Sequence, residues 1–91
     1  PDFKGNRGVI LVGMKLYDRA LRDLLSAAAV GADLDARTDA ALAEAYFATN
    51  DLASARKYLD TALLKAQKGQ VVDAERLRQL QQALQQKEAA A

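Results

Sequence analysis

Catalysis needs side chains that give, take or attack near neutral pH, and this chain of 91 residues contains neither histidine nor cysteine. Those absences remove the usual general base, the commonest metal ligands and every Ser/His or Cys/His nucleophile arrangement. They also exclude a disulfide framework and a thiolate metal site. Carboxylates remain. Asp33, Asp35 and Asp39 lie close together, but the glycine and closing glutamate of a calcium loop are missing around them. Such residues serve better at a helix start, one as the N-cap and another beside the positive end of the helix dipole. Asp18, Asp23, Glu44 and Asp60 stand singly at positions that helical patterning leaves exposed, and they read as solvated charges. The expectation is a non-catalytic protein with no metal and no cofactor.

Two other chemistries are tested by spacing. The stretch "GNRGVILVG" from Gly5 to Gly13 is glycine-rich, yet it has neither the G-x-G-x-x-G spacing nor the Gly-Lys-Ser/Thr ending of a phosphate cradle. Basic residues that would meet nucleic acid are Arg19, Arg22, Arg56, Lys57, Lys65 and Lys68, but acidic neighbours interrupt them. Thirteen basic against twelve acidic residues leave a net charge of +1, so no electrostatic footprint for nucleic acid or an anionic membrane is present. Tyr46, Phe47 and Tyr58 are too few to stack bases, and Tyr46 is expected in the core. The longest apolar run, Gly8 to Met14, is far shorter than the roughly 20 residues of a spanning helix, so no membrane insertion is expected. The chain opens on proline, from which it is expected to be part of a longer protein, with any targeting segment upstream.

The elements that would position these residues are helices. Alanine, leucine, glutamine, arginine and lysine dominate after position 35, and the only proline is the first residue. Ala41, Leu42, Ala45 and Tyr46 recur on one face of a helix over about 36–48. Leu52, Ala55, Leu59, Ala62 and Leu63 mark a second, entered through a left-handed turn at Asn50 and stopped at Gly69. The turn between them is short enough to make an antiparallel hairpin. Ala74, Leu77, Leu80 and Leu84 form a narrow stripe on a helix that is otherwise polar, and Tyr17, Ala20, Leu21, Leu24 and Ala28 mark another that stops at Gly31. The opening passage is ambiguous locally, because Val9, Ile10 and Val12 are β-branched and favour a strand.

An internal repeat resolves it. Shifted by 35 residues, Tyr17 falls on Leu52, Ala20 on Ala55, Leu24 on Leu59 and Ala27 on Ala62. The same shift carries Gly8 onto Ala43, Leu11 onto Tyr46 and Lys15 onto Asn50. Small residues meet small and large meet large, so the opening passage is expected to be helical like its copy. Gly8 and Ala43 are then the points where each hairpin's first helix closes on Ala20 and Ala55.

These residues resemble the tetratricopeptide repeat family, whose unit is a helix hairpin with the pattern W-x2-L-G-x2-Y, A-x3-F and P. Leu42, Ala43, Tyr46, Ala55, Leu59 and Ala62 match it in one unit, and Gly8, Leu11, Ala20, Leu24 and Ala27 in the other. Lys4 and Asp39 replace the frequent tryptophan, Arg7 the leucine, and Ala32 and Gln67 the proline. The resemblance implies one all-α domain over residues 1–91, a short right-handed solenoid: repeat 1 over about 2–32, repeat 2 over about 36–69 and a solvating cap helix over about 70–88. It also implies a concave groove lined by Val9, Val12 and Gly13, by Arg37, Ala40, Ala41, Glu44, Phe47 and Ala48, and by Glu75, Arg76 and Gln79.

The function so implied is a protein-interaction module that takes a peptide or helix of a partner protein, with Phe47 as the anchor and Arg37 and Glu44 setting polar register. Gly5, Val9 and Ala41 stand where the family's clamp for acidic tails carries lysine and asparagine, so acidic C-terminal tails are not the expected ligand. Three alternatives accompany this reading. The exposed first helix, or the stripe Leu77, Leu80 and Leu84, could drive assembly into a homo-oligomer. The chain could be an accessory part of a larger enzyme or assembly complex. Val9 and Val12 could simply pack against an upstream helix.

Overall fold

The computed structural model describes residues 3–29 and 35–90, and those residues form five α-helices with no strand among them. The first two are α1, Phe3–Gly13, and α2, Tyr17–Ala29. The next two are α3, Ala36–Ala48, and α4, Leu52–Gln67, and the last is α5, Ala74–Ala90. The β-branched run therefore sits in a helix, where burial of Val12 outweighs a propensity difference of tenths of a kcal/mol per residue. The expected ends at Asn50 and Gly69 are observed, both with positive φ. Gly31, Ala32 and Asp33, singled out in the sequence, lie outside the described residues.

Each hairpin closes through the same turn. Lys15 and Asn50, 35 positions apart, are the two non-glycine residues with positive φ among those described, at 62° and 68°. Around them the backbone hydrogen bonds repeat at the same shift. Lys15 N donates to Val12 O as Asn50 N does to Phe47 O, and Leu16 N to Leu11 O as Asp51 N does to Tyr46 O. The second helix of each pair opens alike, with Ala20 N on Leu16 O and Ala55 N on Asp51 O. A left-handed residue followed by a bond reaching back across the helix end reverses the chain in so few residues that the two helices must run antiparallel.

The core follows the repeat. Ala20 and Ala55, Leu24 and Leu59, and Ala27 and Ala62 are buried pairwise. Gly8 is where α1 and α2 approach: a Cβ there would lie 2.5 Å from Leu24 Cγ, and Ala20 O would be 3.4 Å away. Leu24, rather than the expected Ala20, is thus the nearest neighbour, because its branched end fills the notch that glycine leaves. One apolar cluster joins α1, α2 and α3 through Val12, Leu24, Leu42 and Ala45; the second joins α3, α4 and α5 through Ala43, Leu59, Leu77 and Leu84. The fully buried Leu24, Leu42, Leu59 and Leu84 each contribute about 1.5–3 kcal/mol. Tyr46 and Tyr58, stacked at 5.7 Å between ring centroids, pack against both clusters.

Polar contacts fix where the start of α3 sits. Asp35 caps its start: its carboxylate accepts from Thr38 N at 2.9 Å and Thr38 Oγ1 at 2.6 Å. Burial pushes against ionisation here, yet the Thr38 hydrogen bonds, aided by Arg37 and Lys65, hold the Asp35 carboxyl below its ordinary pKa. Gln70 Oε1 accepts from Ala36 N at 2.8 Å, satisfying another first-turn amide from the connector after α4. Asp39 lies in the first turn, as expected of one of the three aspartates, and also makes a buried ion pair. Its side chain is 3% exposed and pairs with Lys65 Nζ at 2.6 Å, so it does more than sit near a helix dipole.

Candidate functional site

The cleft that bears the candidate residues is built where α1, α3 and the start of α5 converge. α3 presents Arg37, Ala40, Ala41 and Glu44 at helical spacing; α1 contributes Val9 and Val12 from one side, and the other is closed by Asp73, just before α5, and by Arg76, Leu77 and Leu80 of α5. The cleft has a volume of about 150 Å³. Val12 and Ala41 are buried and form its floor, so any occupant meets only their outer atoms. A wider trough of about 710 Å³ continues from it between the end of α3 and α5, lined by Phe47, Ala48, Gln79 and Leu80 among others.

Glu44 and Arg76 line both spaces, and they bond to each other: Arg76 Nη2 donates to Glu44 Oε1 at 2.8 Å. The ion pair lies where cleft and trough meet, with Asp73 and Leu80, which also line both. The Glu44 hydrogen bond pushes the Arg76 guanidinium pKa up. Glu44 is therefore not the solvated charge that its spacing suggests; three-quarters of its side chain is covered. Arg37 stays largely exposed at the rim, 3.8 Å from Asp35. Phe47 is half-buried at the edge of the second cluster, and Lys87 Nζ lies 5.4 Å from its ring centroid.

Of the twelve residues expected to line a groove, all but Gly13 fall on this connected surface, Ala40 in the cleft and Glu75 in the trough among them. Val9, Val12, Arg37, Ala41, Glu44 and Arg76 line the cleft, and Glu44, Phe47, Ala48, Arg76 and Gln79 line the trough. Gly13 is not brought in; nothing lies within 4 Å of where its Cβ would be. The sequence reading missed Asp73, Leu77 and Leu80 as walls. Leu77 and Leu80 were visible as an apolar stripe, and their neighbour Arg76 was already a candidate, so the signal was the overlap of the two.

The stripe Leu77, Leu80 and Leu84 is not an exposed face, because Leu77 and Leu84 are buried against α3 and α4. α1 and the turn after it do expose apolar surface, at Ile10 and Met14 with 62% and 61%. Of the basic residues considered for nucleic acid, Arg56 pairs with Glu88 at 2.6 Å and Lys65 with Asp39. Among the described residues no cluster of three or more His, Cys, Asp and Glu could hold a metal, and no helix is long and apolar enough to cross a membrane.

Comparison with protein-family models, characterised proteins and solved structures finds no match to this chain.

Proposed function

We propose that the chain is a non-catalytic interaction module of tetratricopeptide type, in which the cleft between α1, α3 and α5 receives a segment of a partner protein. The observation that carries this reading is the character of the cleft. At about 150 Å³ it is about half the lower end of the roughly 300–1,000 Å³ range typical of small-molecule sites. That volume suits one or two inserted side chains rather than a whole metabolite. Its floor and walls are apolar, from Val9, Val12, Ala40, Ala41, Leu77 and Leu80, while Arg37, Glu44, Asp73 and Arg76 supply the polar part of the lining. An apolar centre with a polar rim is how protein segments are bound, the centre supplying affinity and the rim register. The repeated hairpin turns at Lys15 and Asn50 support the family reading, since they put α1 and α3 in equivalent places.

The test is to install a photoreactive side chain at Ala40, crosslink in the source cell's extract, identify the captured protein and measure its affinity for purified variants. Ala40→Phe, which fills the cleft, and Phe47→Ala, which removes the anchor from the trough, are each expected to weaken binding at least tenfold with helicity retained. Unchanged affinity in both folded variants refutes the groove reading.

A further inference from the structure

α5 is held differently from the helices it covers. Of the three helices described throughout, α3 buries seven residues and α4 three, whereas α5, the longest, buries only Leu77 and Leu84. Leu80 packs against the same cluster as these two but is only partly buried, and the other ties to the α3–α4 hairpin are charged and partly solvated: Arg76 on Glu44 at 2.8 Å, Arg56 on Glu88 at 2.6 Å, and Lys87 over Phe47. Exposed ion pairs are weak and screened by salt. Beneath α5 lies the apolar face formed by Ala43, Ala55, Leu59 and Ala62, whose residues belong entirely to the hairpin. The hairpin has its own fastenings, from Tyr46 on Tyr58 and Asp39 on Lys65, none of which involves α5. The connector from Lys68 to Asp73 contains no regular element and turns at Gly69, with φ of 98°.

We propose that α5 is an exchangeable cap: it leaves the α3–α4 face as a unit while the hairpins stay folded, and α5 of a second copy of the chain takes its place. The face specifies what it accepts. Glu44 at one end requires a cation near the start of the incoming helix, Arg56 at the other end requires a carboxylate near its finish, and the apolar floor requires leucines one heptad apart between them. α5 carries this set in this order, with Arg76, Leu77, Leu84 and Glu88. A helix laid in the reverse direction sets like charges together. An exchanged α5 remakes every contact that the original made, so the reaction costs only the opening and the association, as in domain swapping generally. Because Arg76, Leu77 and Leu80 wall the cleft, each cleft of the swapped pair takes one wall from the other copy.

The test uses the full chain and a fluorescent synthetic peptide of residues 74–90, followed by anisotropy. In the wild-type chain the tethered α5 competes at high effective concentration, so the peptide binds weakly. Leu84→Ala in the chain loosens that competitor, and the variant chain is expected to bind the wild-type peptide at least tenfold more tightly than wild type does. A peptide carrying Leu84→Ala is expected to bind the same variant chain at least tenfold more weakly than the wild-type peptide. A variant chain that keeps its hairpin helicity and gains no affinity for the wild-type peptide overturns the proposal. Native-state hydrogen exchange on the wild-type chain decides independently of that variant's folding. α5 amides are expected to exchange at least tenfold faster than those of α3 and α4, and faster still at high salt; α5 protection equal to that of α3 overturns it.

Discussion

Replacing Lys65 by methionine tests the least surface-like interaction in the molecule. In the native chain Lys65 Nζ lies 2.6 Å from Asp39 Oδ2, with the lysine side chain 22% exposed and the aspartate 3%. Methionine keeps most of the aliphatic stem and removes the ammonium. At an effective dielectric near 20, opposite charges about 4 Å apart attract by about 4 kcal/mol, and removing one member of a buried pair typically costs about 3–5 kcal/mol. Because Lys65 is partly solvated, the expected loss lies at the low end, about 3 kcal/mol. For a domain of this size that is a fall in Tm of about 12–24 °C. Thermal and urea unfolding followed by far-ultraviolet circular dichroism measure it directly. Asp39→Leu combined with Lys65→Met removes both charges and is expected to recover stability to within about 1 kcal/mol of wild type, since apolar replacement of a buried pair is often neutral or better. A single variant that loses less than about 1 kcal/mol, or a double variant as unstable as the single, refutes the idea that the Lys65 charge is what makes Asp39 tolerable inside the hairpin.

Three further outcomes follow from local geometry. Gly8→Ala brings a Cβ to 2.5 Å from Leu24 Cγ; overpacking of about 1–3 kcal/mol outweighs the gain of about 1 kcal/mol in helix propensity, so the urea midpoint is expected to fall. Lys15→Gly relieves a left-handed conformation that costs a side chain about 1–2 kcal/mol, against a backbone entropy loss of about 0.5–1 kcal/mol, and a Tm raised by a few degrees is expected from calorimetry. Asp35→Ala removes the α3 cap and is expected to cost about 1 kcal/mol at neutral pH. The folded Asp35 pKa is depressed, so the part of this difference that comes from its charge is full above the unfolded value of about 4. It is lost as pH falls through the folded pKa, and stability curves for the two proteins should converge in acid.

The helices were legible because their signals are local or periodic. Asn50 and Gly69 mark turns by their tolerance of positive φ, and alternation of small and large residues at three-four spacing names the inner face whichever neighbour it meets. The β-branched run at Val9 to Val12 shows the limit of local reading: taken alone it favours a strand, and the copy 35 residues on carried the helical assignment. The groove residues were named from the family resemblance, which implies that the first helices of successive hairpins and the last helix share one lining, and nothing in a single stretch of sequence names them. The walls Leu77 and Leu80 were not placed, because one apolar stripe on α5 serves both core and cleft and its spacing cannot divide the two.

What the sequence by itself determined is the set of helices, their turns and the side of each that goes inward, since these depend on residue size and backbone freedom at each position. The pairing of charges was decided only by the tertiary structure. Asp39, Glu44 and Arg56 look alike in the sequence as polar residues on helices. Their partners Lys65, Arg76 and Glu88 are 26 or 32 residues away. Long side chains have many rotamers and reach several neighbours, so which carboxylate meets which cation depends on helix separation and register, and those follow from the packing of small buried residues such as Ala43, Ala55 and Ala62 between the helices.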